Sequence, residues 1–266
     1  MTTRRSFTLG ALLAIASAVS LRAQDNYEIQ VYGAETMPKG TTMFELHSNY
    51  ATSGRRYPEA GVLPTDHALH ETIEVTHGFT SWFEIGSYLF MSTAPDQGYN
   101  VVGSHIRPRI AAPASWKVPV GLSASLEVGY QRREYSQDTW SVELRPIIDK
   151  QMGVWYAAFN PVFDHSLRGD NAAAGFAFSP NVALTRDVTS LMNLGVEYYG
   201  SLGPVKSPEP RDNQVHQVFG VVNLNLAEDW EFNAGFGVGL TNATEHRMLK
   251  VILGRRVGKA PEKAKP

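Results

Sequence analysis

The sequence predicts an all-β chain that closes into a single antiparallel transmembrane β-barrel of about twelve strands, with short periplasmic turns and longer extracellular loops. Three observations predict it. Period-two alternation of apolar and polar residues recurs from Thr41 to the end of the chain, and no long helical period appears beyond the N-terminus. Compact turns alternate with longer loops rich in Gly and Pro. An export signal opens the chain.

The signal is read over residues 1–23. Arg4 and Arg5 precede the apolar run Phe7 to Val19, and Leu21-Arg22-Ala23 supplies a small-residue cleavage site. The run is shorter than a spanning helix, and no other apolar run reaches the roughly 18 residues a span needs. Losing Arg4, Arg5 and Arg22 takes the formal charge from −2 to −5. "TRRSFTL" also resembles a twin-arginine signal, which carries folded proteins, whereas a barrel crosses the inner membrane unfolded; both export routes stay open. Residues 24–40 are expected to form a periplasmic lead-in, 41–257 the barrel, and 258–266 a basic C-terminal tail. No segment remains for a second domain.

The first strand starts near Thr42, where Phe44, Leu46 and Tyr50 alternate with Glu45, His47 and Asn49. The second and third start near Leu69 and Phe83 and flank the compact turn "THGFTSW". The fourth starts near Val101 and runs to the turn "APASW". The fifth starts near Val118 and contains "GLSASLEVGY", with Leu122, Ala124, Leu126, Val128 and Tyr130 opposite Gly121, Ser123, Ser125, Glu127 and Gly129. The sixth starts near Thr139, its Trp140, Val142 and Leu144 opposite Ser141, Glu143 and Arg145. The turn "DKQMGVW" leads to the seventh, near Val154, and "GFAFSPNVAL" opens the eighth, near Gly175. "TRDVTSL" precedes the ninth, near Asn193, and the loop "GPVKSPEPRDN" precedes the tenth, near Val215. The eleventh starts at Trp230 after "LAEDW", and the twelfth near Arg247. An even count places both ends of the chain in the periplasm.

Alternation alone does not distinguish lipid from a protein core. Tryptophan placement favours lipid: Trp82, Trp116, Trp155 and Trp230 all sit at compact turns, where an aromatic girdle would lie. The polar face is heavy in Gly, Ser, Ala and Asn, which suits a crowded lumen better than an exposed sheet. Pro108, Pro146, Pro161 and Pro180 fall inside strands, and a closed barrel offers no edge to hold them; bulges are the expected accommodation.

"THGFTSWFEIGSYLF", with Gly78, Phe79, Thr80, Glu84 and Gly86, resembles the turn-and-strand unit of porin-like outer-membrane barrels, including the group named for the meta-pathway of phenol degradation. The resemblance implies an outer-membrane barrel with a transport role. Such barrels typically end on an aromatic residue that the assembly machinery reads, whereas this chain runs on from Val257 into "GKAPEKAKP".

If Glu127 points inward, alternation carries Glu45, Glu74, Glu84, Glu143, Glu197 and Glu231 inward with it, and His105, Arg107, Arg109, Arg145, Lys250 and Arg256 as well. These are the lumen-facing candidates. They would line a passive channel for small polar or anionic solutes, with the arginines as its basic side, or form the ion-pair network of a plugged structural barrel. A barrel that only displays its loops is a further class. The loops here are short for it.

An outer-membrane lipid-modifying hydrolase is a weaker alternative. His47-Ser48, Ser104-His105 and His165-Ser166 are neighbours along strands and so face opposite ways. His67, His70 and His77 are too loosely spaced for a metal motif. Without cysteine there is no disulfide framework and no thiol nucleophile, and no cofactor motif occurs. No basic stripe with interleaved aromatics suggests nucleic acid. The expected partners are outer-membrane lipid and lipopolysaccharide, the barrel-assembly machinery and a small solute.

Overall fold

The computed structural model describes residues 26–258. The expected signal peptide, residues 1–23, and the tail beyond Gly258 lie outside them. Twelve strands run in order around one closed barrel: β1 (Thr42–Ser53), β2 (Leu69–Gly78), β3 (Phe83–Ala94), β4 (Gly98–Ala111), β5 (Gly121–Gln131), β6 (Asp138–Met152), β7 (Trp155–Gly169), β8 (Ala177–Asp187), β9 (Met192–Ser201), β10 (Val215–Leu224), β11 (Trp230–Gly239) and β12 (Arg247–Val257). Each strand pairs antiparallel with its chain neighbours, and β1 closes on β12 from Thr42↔Val257 to Ser53↔Arg247. Six starts fall where the sequence places them (Thr42, Leu69, Phe83, Val215, Trp230, Arg247), and the others differ by one to three residues.

The connections sort into two ends. At the turn end, β6 and β7 join through Gly153-Val154 alone, with Gly153 at φ 63°, a conformation open to glycine and suited to a two-residue hairpin. The loop end carries the longer β1–β2 and β9–β10 connections. Two connections break this pattern. β3 and β4 meet at the loop end through Pro95–Gln97, and the β4–β5 turn, read as compact, continues to Val120. Pro113 and Pro119 cannot donate to a ladder and Lys117 sits at φ 50°, so β5 starts later than its alternation suggests.

The barrel is inside out relative to a soluble protein. Along β5, Leu126 is 45% exposed and Tyr130 is exposed outward, while Ser125, Gln131 and Glu127, 5% exposed, are buried inward. The same inversion recurs around the barrel except on β10, whose buried face carries Val215, Phe219 and Val221 beside Gln217. Outward leucines, valines, isoleucines and phenylalanines form one continuous apolar belt, and the buried interior is mostly polar and charged. Trp82, Trp116, Trp155 and Trp230 lie exposed at the turn end, and Arg186 and Arg255 stack over Trp155 and Trp230 at 5.5 and 5.2 Å.

The prolines are not accommodated by bulges. Register shifts fall at Ala51/Ser53, Phe90/Met91 and Asp138–Ser141, near the loop end. Each proline instead keeps a ladder on one flank and breaks it on the other. Pro108 faces Ile85 of β3, but the β4–β5 ladder skips from Ile106 to Arg109. Pro146 faces Ala124, and Pro161 faces Pro180, while the β6–β7 ladder skips from Leu144↔Phe163 to Ile148↔Phe159. An antiparallel residue donates its N–H to one side only, so a proline can be tolerated with its missing donor facing the break.

The belt makes one quantitative prediction. Leu126→Arg, near the middle of β5, should lower folding stability in lipid vesicles by about 2–4 kcal/mol, read by urea unfolding. An unchanged stability would mean that this face does not meet lipid.

Candidate functional site

Among the described residues the lumen gathers most of the buried charged side chains, and it is occupied by the segment that precedes β1. Asn26 stands at the loop end, where its side chain donates to Glu245 Oε1 (3.2 Å) and its carbonyl accepts from Asn49 Nδ2 (2.9 Å). From there the segment crosses the lumen and leaves at the turn end, where Gly40 N donates to Gly78 O (2.7 Å) and β1 begins. Residues 24–40 are expected in the periplasm; in the structure the described part of this lead-in runs through the lumen instead, held by the inner wall.

The segment is not a strand of the sheet. Its backbone groups are satisfied by side chains of the wall instead. The Tyr27 carbonyl accepts from Thr72 Oγ1 (2.7 Å), and that of Ile29 from Lys250 Nζ (3.1 Å). Tyr32 N donates to Asn160 Oδ1 (2.8 Å) while Asn160 Nδ2 donates to the Tyr32 carbonyl (3.0 Å). Ala34 N donates to Asp149 (2.8 Å), Met37 N to Glu84 (2.5 Å), and Arg109 donates to the carbonyls of Gly33 and Glu35. Apolar side chains of the segment pack against three separate inner patches. Tyr27 meets Tyr88, Phe90 and Val102, Ile29 meets Tyr199, Phe219 and Met248, and Tyr32 and Ala34 meet Ile147.

Around this segment the charged residues pair. Arg107 donates to Glu74 (2.8 Å), which also accepts from Thr76 and Tyr88, and Arg109 lies 2.8 Å from Glu84. Arg145 holds Glu143 through two contacts of 2.6 and 3.0 Å. His105 pairs with Glu127, and Lys250 with Glu197. Gly129 makes the His105 pair feasible: the two residues are cross-strand partners, and a Cβ at 129 would stand 1.7 Å from the imidazole. The small inner-face residues thus leave room for large neighbours.

All three inner arginines converge on Tyr32, their guanidinium carbons 4.3 Å (Arg107), 4.9 Å (Arg145) and 5.8 Å (Arg109) from its ring centroid. They are bound to carboxylates and to the segment, so they do not form a free basic side. Glu45 and Glu231 complete the twelve candidates, and neither makes an ion pair among the described residues. Arg256 lies at the turn-end rim, donating to the Glu228 carbonyl (2.9 Å). Glu28, Asp149 and Asp164 also face the lumen, so ten carboxylates stand against Arg107, Arg109, Arg145 and Lys250.

Sequence reasoning passes over Tyr32, Asn160, Glu28 and Asp149. The alternation Tyr27, Ile29, Val31 within the lead-in is the one signal that marked the segment as packed. The adjacent His/Ser pairs do split across the wall: Ser104 faces out and His105 in. His67, His70 and His77 are not brought together, His67 lying in the β1–β2 loop beside Tyr50 and His77 beside Thr42 at the turn end.

At the turn end the lumen widens into a vestibule of about 910 Å³, bounded by Gln30–Met37 and by Glu45, Glu84, Arg109 and Glu231. A second cavity of about 550 Å³ lies among the loops at the other end, between Gly54–Arg56, Asp212 and Asn242–His246.

No family model and no curated protein matches the chain in sequence. Solved structures match in fold. An outer membrane channel from Pseudomonas putida F1, of the group labelled COG4313, superposes with a TM-score of 0.60 at 12% identity over 86% of this chain and 100% of that one. The KdgM porin gives 0.54 at 7% identity over 80% and 98%. The NanC porin gives 0.53 at 9% identity over 81% and 99%. At these identities the likeness establishes the shared barrel fold.

The buried pairs set a stability prediction. Arg107→Met leaves Glu74 without its cation and should cost about 3–5 kcal/mol in urea unfolding, whereas Arg107→Met combined with Glu74→Met should cost less than the single change. Equal losses in the two variants would mean that the pair is not coupled.

Proposed function

We propose that the protein is an outer-membrane channel that passes small polar solutes passively, with its N-terminal segment standing in the path. The observation that carries this reading is a polar lumen inside an apolar-coated barrel that opens at the turn end into a wide vestibule lined by residues 30–37, with a second cavity among the loops at the other end. The fold neighbours called channel and porin support it. So does the likeness of "THGFTSWFEIGSYLF" to the meta-pathway group, which is the finer placement we favour. The surplus of inward carboxylates favours cations over the anionic solutes suggested by the arginines alone. Lipid and lipopolysaccharide would contact the belt, and the assembly machinery would insert the barrel.

With the short turns in the periplasm, Val257 returns to the periplasmic side and Asn26 stands at the outer mouth. Conduction then requires the segment around Tyr32 to move, because its ring fills the space between three guanidiniums. A second reading, a permanently plugged structural barrel, is favoured by the full set of wall contacts that the segment makes.

Planar-bilayer recording separates the two. The chain has no cysteine, so Ala34→Cys with Ile147→Cys, two positions of one buried cluster with Tyr32, introduces the sole thiol pair. We expect cation-preferring conductance from the native chain and from the reduced variant, and loss of conductance on oxidation. A native chain that never conducts establishes the plug. Conductance indifferent to oxidation would show that the path bypasses the segment.

A further inference from the structure

Three glutamates lie in one row across the inner face at the turn end. Glu74 of β2 is directly opposite Glu45 of β1; Glu45 is opposite Gly254 of β12, and Gly254 is opposite Glu231 of β11. Like charges facing each other across a ladder repel, and burial removes the water that would screen them. Gly254 leaves the middle of the row empty: a Cβ there would meet Glu45 Cγ at 2.9 Å and Glu231 Cβ at 3.2 Å. The side chains on either side use that space. Arg107 pairs with Glu74, but Glu45 and Glu231 make no ion pair among the described residues, and Glu231 accepts only from Gln30 Nε2 (3.4 Å).

A separate observation points to what fills the row. His47 lies two residues along β1 from Glu45, on the same face, and is completely buried. Neither of its ring nitrogens makes a hydrogen bond, although Nε2 is only 3.3 Å from Glu74 Oε2. Its one close polar contact is therefore a carboxylate, and the imidazole is aimed into a nest of carboxylate oxygens without an aligned hydrogen bond. One donor atom from each of Glu45, His47 and Glu74 lies within 4.8 Å of the others. Closing such a triangle around an ion needs a contraction of roughly 1 Å, given metal–ligand bonds of about 2.0–2.2 Å, and rotations of the glutamate side chains can supply it.

We propose that Glu45, His47 and Glu74, flanked by Glu231, bind a divalent transition-metal ion of the zinc class in the barrel lumen. One imidazole with two carboxylates is a donor set for such ions, and it is poorer for Ca²⁺, which takes six or more oxygens. The vestibule, whose walls include Glu45, Glu74 and Glu231, gives the ion a route in from the turn end. The ion would supply the positive charge that the row lacks. The site is independent of whether the barrel conducts.

The test uses the full mature chain without an affinity tag, folded in detergent, stripped of metal and titrated with Zn²⁺ alone by calorimetry. We expect one Zn²⁺ per chain, and a fall in affinity of at least about tenfold in each of His47→Gln and Glu45→Gln. Co²⁺ in place of Zn²⁺ should give a visible absorption band that His47→Gln shifts or removes. No saturable Zn²⁺ binding, native-like binding in both variants, or selective binding of Ca²⁺ would overturn the proposal. Should either variant not fold, zinc-edge anomalous scattering from crystals of the native chain soaked in Zn²⁺ decides the matter. A peak between Glu45, His47 and Glu74 sustains the site, and its absence there overturns it.

Discussion

The pairing of β1 with β12 is the constraint on which the rest depends. Once Thr42–Ser53 is zipped to Val257–Arg247, no strand edge remains, and every inner side chain is confined with its neighbours. Closure also fixes which residues meet. Glu45 stands beside Gly254 because Thr42 faces Val257, and a one-residue slip would turn the belt inward and the glutamates outward. The inverted burial is therefore a consequence of register as much as of composition.

Confinement then sets the interior chemistry. Twelve strands enclose more polar groups than they can satisfy pairwise. The segment from Asn26 to Gly40 supplies much of the remainder, bringing carbonyls to Lys250, Thr72, Arg109 and Asn160 and amides to Asp149, Asn160 and Glu84. Tyr32 is its centre: one ring serves three guanidiniums whose carboxylate partners lie on β2, β3 and β6. The polar wall and the segment thus stabilise each other, and neither is intelligible alone.

The wall was legible in the sequence because alternation is local. Phe44 against Glu45 and Leu126 against Glu127 reveal their faces without any knowledge of partners. Strand starts at Thr42, Phe83 and Trp230 could be read because turn residues or closing tryptophans mark them. Partnership is not local, and alternation does not encode it. Nothing in "RPRI" tells Arg107 to meet Glu74 and Arg109 to meet Glu84, and the arginines therefore read as an open basic side. The proline accommodation was missed for a related reason. Whether a proline needs a bulge depends on which flank its missing donor faces, and that requires the register of both neighbours. The occupied lumen was least visible. The short alternation of Tyr27, Ile29 and Val31 is its one local trace, and nothing in it tells what the segment packs against.

The manner of that hold differs along the segment. Its first part is held by apolar packing: Tyr27 and Ile29 are enclosed by aromatic and aliphatic side chains, and removing them would expose that surface to water. From Gly33 to Met37 the hold is mainly a series of hydrogen bonds to Arg109, Asp149 and Glu84, which line the wide vestibule. Each such bond contributes only about 0.5–1.5 kcal/mol net, because water offers the same partners, and a flooded vestibule keeps that water close. Asymmetry follows from this difference. The half toward the turns can release into an aqueous space with its polar groups still satisfied, while the half toward the loops stays anchored. On the channel reading, an obstruction that is wet at one end and greasy at the other releases from the turn end first.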